Sequence, residues 1–112
     1  MAEDISREEL KEKMGRGEDF VLLETLPEKS YRRSHLPGAI NLPPGQTDQA
    51  EELISHKEAE VVVYCASPPQ TKSEEAVREL VAMGYTNVRH YDGGKQDWMK
   101  HDLPVEGERS ES

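Results

Sequence analysis

The stretch "VVVYCASPPQTKSEEA", Val61 to Ala76, decides the fold. Val61 to Tyr64 is a run of β-branched and aromatic residues without alternation, which suits a strand buried on both faces, as in a parallel sheet covered by helices. Thr71 to Glu74 reads Thr-x-x-Glu, a capping box that starts a helix. Ala76, Val77, Leu80 and Val81 then recur at helical spacing, and Gly84 ends the segment. Cys65, the only cysteine, sits where strand gives way to loop. In open α/β sheets, ligands bind beyond the carboxyl ends of the strands. Backbone amides of a loop that turns into a helix N-terminus stabilise negative charge, and the thiolate is the nucleophilic form of cysteine. Free cysteine is equally at home as a small buried hydrophobe. On position alone both readings stand.

The flanking sequence repeats the alternation. Ser6 to Glu9 is a first capping box, opening a helix that runs to about Met14 and stops at Gly15 and Gly17. Phe20 to Glu24 reads as a short strand. Pro27 opens a helix at its first position, through Tyr31 to about Ser34. Ala39 to Leu42 reads as a second strand. A helix from about Asp48 to His56 follows, with Ala50, Leu53 and Ile54 on one face. Beyond Gly84 come a strand over Val88 to Tyr91, a Gly93-Gly94 turn and a short helix, Lys95 to His101, anchored by Trp98. Strands alternating with helices predict an α/β fold: a small, mostly parallel sheet of about five strands, flanked by helices in three layers. Residues 1–107 read as one domain and residues 108–112 as a disordered tail.

Composition narrows the function. The chain has 112 residues, 33% of them charged, and a net charge of −9. An acidic balance argues against nucleic acid and against anionic membranes, because both need clustered Lys and Arg. No apolar run approaches the roughly 20 residues of a membrane helix. The N-terminus has no apolar stretch of the secretory kind. A single cysteine cannot form an internal disulfide, which fits a reducing cytoplasm. It also excludes a multi-cysteine metal site, and His35, His56, His90 and His101 lack zinc-like spacing. No metal site is expected from these residues.

Three segments carry a likeness: "HLPGAINLP" (His35 to Pro43), "VVVYC" (Val61 to Cys65) and "AVRELVAMGYTNVRHYDGGKQDWMKHDLPVEG" (Ala76 to Gly107). In this order and spacing they resemble a stand-alone rhodanese, the sulfurtransferase homology domain, over about Ile5 to Gly107. The resemblance implies that Cys65 takes a sulfane sulfur from thiosulfate or another persulfide. It would hold that sulfur as a persulfide and pass it to cyanide, a thiol or a protein cysteine, with no metal or organic cofactor. It implies a substrate-binding loop of Ala66, Ser67, Gln70, Thr71 and Lys72, with Glu24 and His35 behind it. The partner is then a small sulfur donor or a persulfide-bearing protein, and the chain a monomer or weak dimer.

The chain departs from that family at two places. Active members carry Gly and Arg in the loop, whereas here it reads Cys65-Ala66-Ser67-Pro68-Pro69-Gln70-Thr71. Pro68 and Pro69 stiffen the loop but have no N–H to offer. The nearest cation in the loop's sequence is Lys72, a point charge without the fork that grips two oxygens. The loop resembles that of a subset of stand-alone members with a proline-rich loop and often a second cysteine, which is missing here, with Gln70 near its place. At the second departure, the common Asp-x-Arg becomes Glu24-Thr25-Leu26, which keeps the acid and loses its partner. Glu24 then reads first as a solvated strand terminus and second as part of the site. His35 reads as a structural hydrogen-bonder, Arg32 and Arg33 as solvated, and Trp98 as core. A cysteine phosphatase would need Arg six positions after the nucleophile, and Thr71 stands there. The alternative that these departures permit is a catalytically weak binding or regulatory module.

Overall fold

The computed structural model describes residues 3–43, 45–66 and 71–107. Five parallel strands form one sheet in the order β1-β5-β4-β2-β3. They are β1 (Glu3–Asp4), β2 (Val21–Glu24), β3 (Ile40–Asn41), β4 (Val61–Tyr64) and β5 (Val88–His90). The helices are α1 (Arg7–Gly15), α2 (Glu28–Arg33), α3 (Ala50–Leu53), α4 (Thr71–Ala82) and α5 (Gly94–Lys100).

β4 is the central strand and all four of its residues are fully buried. It pairs with β2 from Val21↔Val61 to Glu24↔Tyr64 and with β5 from Val61↔Val88 to Val63↔His90. Its side chains alternate between two cores, as the period of two requires. Val61 and Val63 join Leu23, Ala76, Val77, Leu80 and Tyr85 under α4. Val62 and Tyr64 join Leu10, Leu22, Leu36, Tyr91 and Trp98 on the other face. An unbroken apolar run is the sequence such a doubly covered strand needs.

Several boundaries differ from the sequence reading. β1 was not anticipated: its two residues are polar and exposed, and only their pairing with Arg89 and His90 makes them a strand. Ser6 caps α1 by accepting from the Glu9 amide at 3.0 Å, but the Glu9 carboxylate is drawn away to Arg89, at 2.8 and 3.0 Å. Pro27 is the residue before α2 rather than its first. The helix expected over Asp48 to His56 is a 3₁₀ turn, Thr47–Gln49, followed by the single turn of α3. Ile54 leaves the helix in an extended conformation, which sends its side chain into the core and its carbonyl to the Tyr85 hydroxyl at 2.7 Å. Leu53, expected on the buried face, is 44% exposed in consequence. Among the described residues no helix is long and apolar enough to cross a membrane.

Candidate functional site

Cys65 follows β4 directly, at the carboxyl edge of the sheet, and is 7% exposed. Its backbone is held from α5: the Lys95 amide donates to the Cys65 carbonyl at 2.9 Å and the Gln96 amide to that of Ala66 at 2.7 Å. On the other side, Thr25 donates to the Tyr64 carbonyl from its amide at 2.9 Å and its hydroxyl at 3.2 Å. The Cys65 thiol points at the Thr25 carbonyl, 3.7 Å away. A cysteine whose two neighbouring peptides are bonded to two other elements has little freedom to shift.

α4 begins at Thr71, six residues after Cys65, so the chain turns from strand to helix N-terminus across a short loop. Ser67 and Gln70, expected in the substrate loop, lie outside the described residues, as do Pro68 and Pro69. Ala66 is half-buried next to the cysteine. Lys72 is exposed on the first turn of α4 and borders a groove of about 250 Å³ with Gly45, Thr47, Glu75, Ala76 and Glu79.

Glu24 is not a solvated terminus. Its carboxylate is fully buried and is bracketed by the Tyr64 hydroxyl at 2.5 Å and the Lys95 ammonium at 3.2 Å. A carboxylate at the end of β2 is enclosed because Glu24 lies in register with Tyr64, whose side chain belongs to the core cluster of Leu22, Leu36 and Trp98. Tyr64 also accepts from the Leu36 amide at 3.0 Å. Burial, then the neighbouring charge of Glu24, pushes ionisation of the Tyr64 hydroxyl far up, so it remains a donor. Lys95 spends its other protons on the carbonyls of Ser30, at 3.2 Å, and Ser34, at 2.6 Å. An ammonium has three donors, and all three are engaged, so Lys95 is no clamp for a substrate anion. It is instead the cation that the missing Asp-x-Arg partner left to be found. Sequence reasoning overlooked it because it lies 71 positions from Glu24. The one available signal was a lysine directly after Gly93-Gly94, at the start of the short helix that Trp98 anchors.

His35 is structural in its contacts. Its Nδ1 lies 2.8 Å from the Tyr31 carbonyl, its ring stacks on Tyr31 at 3.9 Å, and its backbone bridges Glu106 at 2.9 and 2.8 Å. Arg32 and Arg33 are exposed, and Trp98 is buried in the core. A second polar pair, also overlooked, lies on the α4 side of the sheet: Ser73 Oγ is 2.7 Å from His90 Nε2, and both residues are buried. Among the described residues there is no group of three side chains suited to a metal ion.

Comparison with known proteins places this geometry. The family model described as "Rhodanese-like domain" matches residues 6–101. The chain is 30% identical to rhodanese-like domain-containing protein 14, chloroplastic, of Arabidopsis thaliana, over 79% of its own length and 58% of that protein's. It is 29% identical to a protein of Allochromatium vinosum named "Sulfurtransferase", over 94% of its own length and 95% of the other. It spans about half the length of several further relatives, 44% and 50% in two cases. The crystal structure of the BH2092 protein from Bacillus halodurans superposes with a TM-score of 0.89 over 98% of this chain and 80% of that one, at 22% identity.

Proposed function

The chain belongs to the rhodanese-like domain family, and on that premise we propose that it is a sulfurtransferase carrying sulfane sulfur on Cys65. The observation that carries this reading is the position of Cys65: the end of the central strand, with its backbone fixed by α5 and the neighbouring peptide by Thr25, ahead of a helix N-terminus. A cysteine serving only as core filler has no need of that edge.

The chemistry is two displacements at sulfur. The Cys65 thiolate attacks the outer sulfur of a donor, the donor's S–S bond breaks, and its electron pair leaves with sulfite or a thiolate. Cys65 then holds a persulfide, whose negative charge is met by backbone amides of the loop and the first turn of α4. An acceptor nucleophile (a thiol, cyanide or a protein cysteine) attacks the outer sulfur, and Cys65 leaves as thiolate. No net oxidation occurs and no metal or organic cofactor enters. The donor is a small sulfur compound or a persulfide-bearing protein, and a reducing cytoplasm is the compartment that suits an exchangeable persulfide. The test is mass spectrometry of the intact chain after exposure to a donor. Cys65 should gain the mass of one sulfur atom and lose it to added thiol, whereas Cys65→Ser, folded by circular dichroism, should gain nothing. Equal labelling of both proteins would overturn the reading.

A further inference from the structure

Whatever holds the start of α4 at a fixed distance from the end of β4 sets the geometry of the cradle around Cys65. The two prolines between Cys65 and Thr71 stiffen the connection but donate no N–H, so the orientation of the first turn of α4 needs ties of its own. The clearest tie among the described residues comes from β5. Ser73, the third residue of α4, is fully buried, and its hydroxyl meets His90 Nε2 at 2.7 Å. His90 is itself anchored. It is the last residue of β5, in register with Val63 on one side and Asp4 on the other, and its carbonyl accepts from the Ile5 amide at 3.0 Å. Val63 is two residues before Cys65, so by the alternation of a strand His90, Val63 and the cysteine's position belong to the α4 face of the sheet. A fixed strand therefore reaches the first turn of α4 through a side-chain bond. Full burial of Ser73 removes it from any substrate, so the pair is not a hydrolytic dyad.

We propose that His90 and Ser73 are positioning residues for Cys65, their hydrogen bond setting the N-terminal turn of α4 and thereby the backbone amides that this turn offers the sulfur. This rests on the sulfur-carrying reading above, but it has a consequence that does not need sulfur transfer. A cradle of N–H donors favours an anionic reagent at the thiol over a neutral one of the same size. The ratio of Cys65 alkylation by iodoacetate to that by iodoacetamide reports this and cancels changes in access.

The experiment compares wild type with Ser73→Ala, His90→Leu, the double variant and His90→Gln. Sulfur loading at saturating donor and the alkylation ratio are measured well below each variant's Tm. Ser73→Ala and His90→Leu should each slow loading roughly tenfold or more, the lower end of what misplaced reacting groups cost. Each should lower the alkylation ratio about threefold, the scale of one helix-terminus interaction. The double variant should be no worse than the worse single one, because the Ser73–His90 bond is lost in all three. His90→Gln, whose amide reaches the place of Nε2, should restore both readouts to within about twofold. Losses that multiply in the double variant, a Gln variant as poor as Leu, or ratios unchanged while Tm falls would each overturn the assignment. Should His90→Leu fail to fold, Ser73→Ala alone decides, since Ala suits a helix. A wild type that takes up no sulfur would defeat the functional reading, and the alkylation ratio would still judge this one.

Discussion

Lys95 touches the two ends of the site at once: its amide donates to the Cys65 carbonyl at 2.9 Å while its ammonium, 3.2 Å from Glu24, neutralises a fully buried carboxylate. The side chain's charge is thus used to hold the backbone that holds the cysteine. Removing one partner of a buried ion pair strands the other charge away from water, at a cost of about 3–5 kcal/mol. Lys95→Met should therefore lower unfolding free energy in urea by about that amount. Glu24→Gln together with Lys95→Met should be more stable than Lys95→Met alone. A loss below about 1 kcal/mol for Lys95→Met would show that the pair is effectively solvated.

The same burial gives an alkaline limit to stability. Burial first, then a nearby carboxylate, pushes ionisation up for Tyr31, Tyr64 and Tyr91; for Tyr64 that carboxylate is Glu24, and for Tyr91 it is Asp97, bonded at 2.7 Å. An unfolded tyrosine ionises near ~10, so above that pH the unfolded chain releases protons that the folded chain retains. The contribution is therefore complete below pH ~10 and is lost progressively as pH rises beyond it. Tm measured through that range should fall, and Tyr64→Phe should flatten the fall. It should also cost about 1–3 kcal/mol at neutral pH, because Glu24 loses a donor and the Leu36 amide its acceptor. An equally steep alkaline fall in Tyr64→Phe would count against the assignment.

Gly107 lies close against the backbone at the end of α2. Its φ is +114°, and an added Cβ would lie 2.9 Å from the Arg32 carbonyl oxygen and 3.0 Å from that of Arg33. Backbone atoms do not yield as a flexible side chain would. Gly107→Ala should cost about 1–3 kcal/mol through strain and displacement together, loosening the bridge between His35 and Glu106. Gly17→Ala shares the positive φ, +68°, but meets nothing within 4 Å, so it serves as the control and should cost less. Equal losses would mean that backbone strain alone, and not the close approach, is at work.

The fold was legible wherever one strand or helix announced itself by its own pattern. The buried run Val61–Tyr64 and the periodic α4 needed no tertiary information. Elements defined by their neighbours were not legible: β1 is two polar residues paired with β5, and the helix after Asp48 is cut short because Ile54 turns into the core. The site divides the same way. Cys65 was visible as a lone thiol at a strand end. Glu24 was misjudged as solvated because a carboxylate reads as exposed until its partners are known, and Tyr64 and Lys95 lie 40 and 71 positions away. Ser73 and His90 were equally hidden, since neither residue type signals burial by itself.

Donor preference follows from where the positive charge is. Thiosulfate is a small dianion whose sulfur transfer must stabilise departing sulfite. The chain carries a net charge of −9, although salt screens much of this at a distance. Near the site, the Lys95 ammonium is fully engaged by Glu24 and two carbonyls, and the loop sequence has no Arg. Lys72 stands exposed at the start of α4, on a groove it shares with Glu75 and Glu79, which oppose an anion. Loss of one oxyanion donor commonly costs about 100-fold or more in rate. A persulfide donor leaves as a thiolate and makes smaller demands on such a clamp. Thiosulfate should therefore be a poor donor and an alkyl persulfide such as glutathione persulfide a better one. Lys72→Ala should reduce kcat/KM for thiosulfate more than for the persulfide, since Lys72 is the exposed cation described on the first turn of α4. Matched assays of both donors on both proteins decide it. Rapid thiosulfate turnover that Lys72→Ala leaves untouched would mean that backbone amides suffice, and that the missing Arg has no bearing on donor choice.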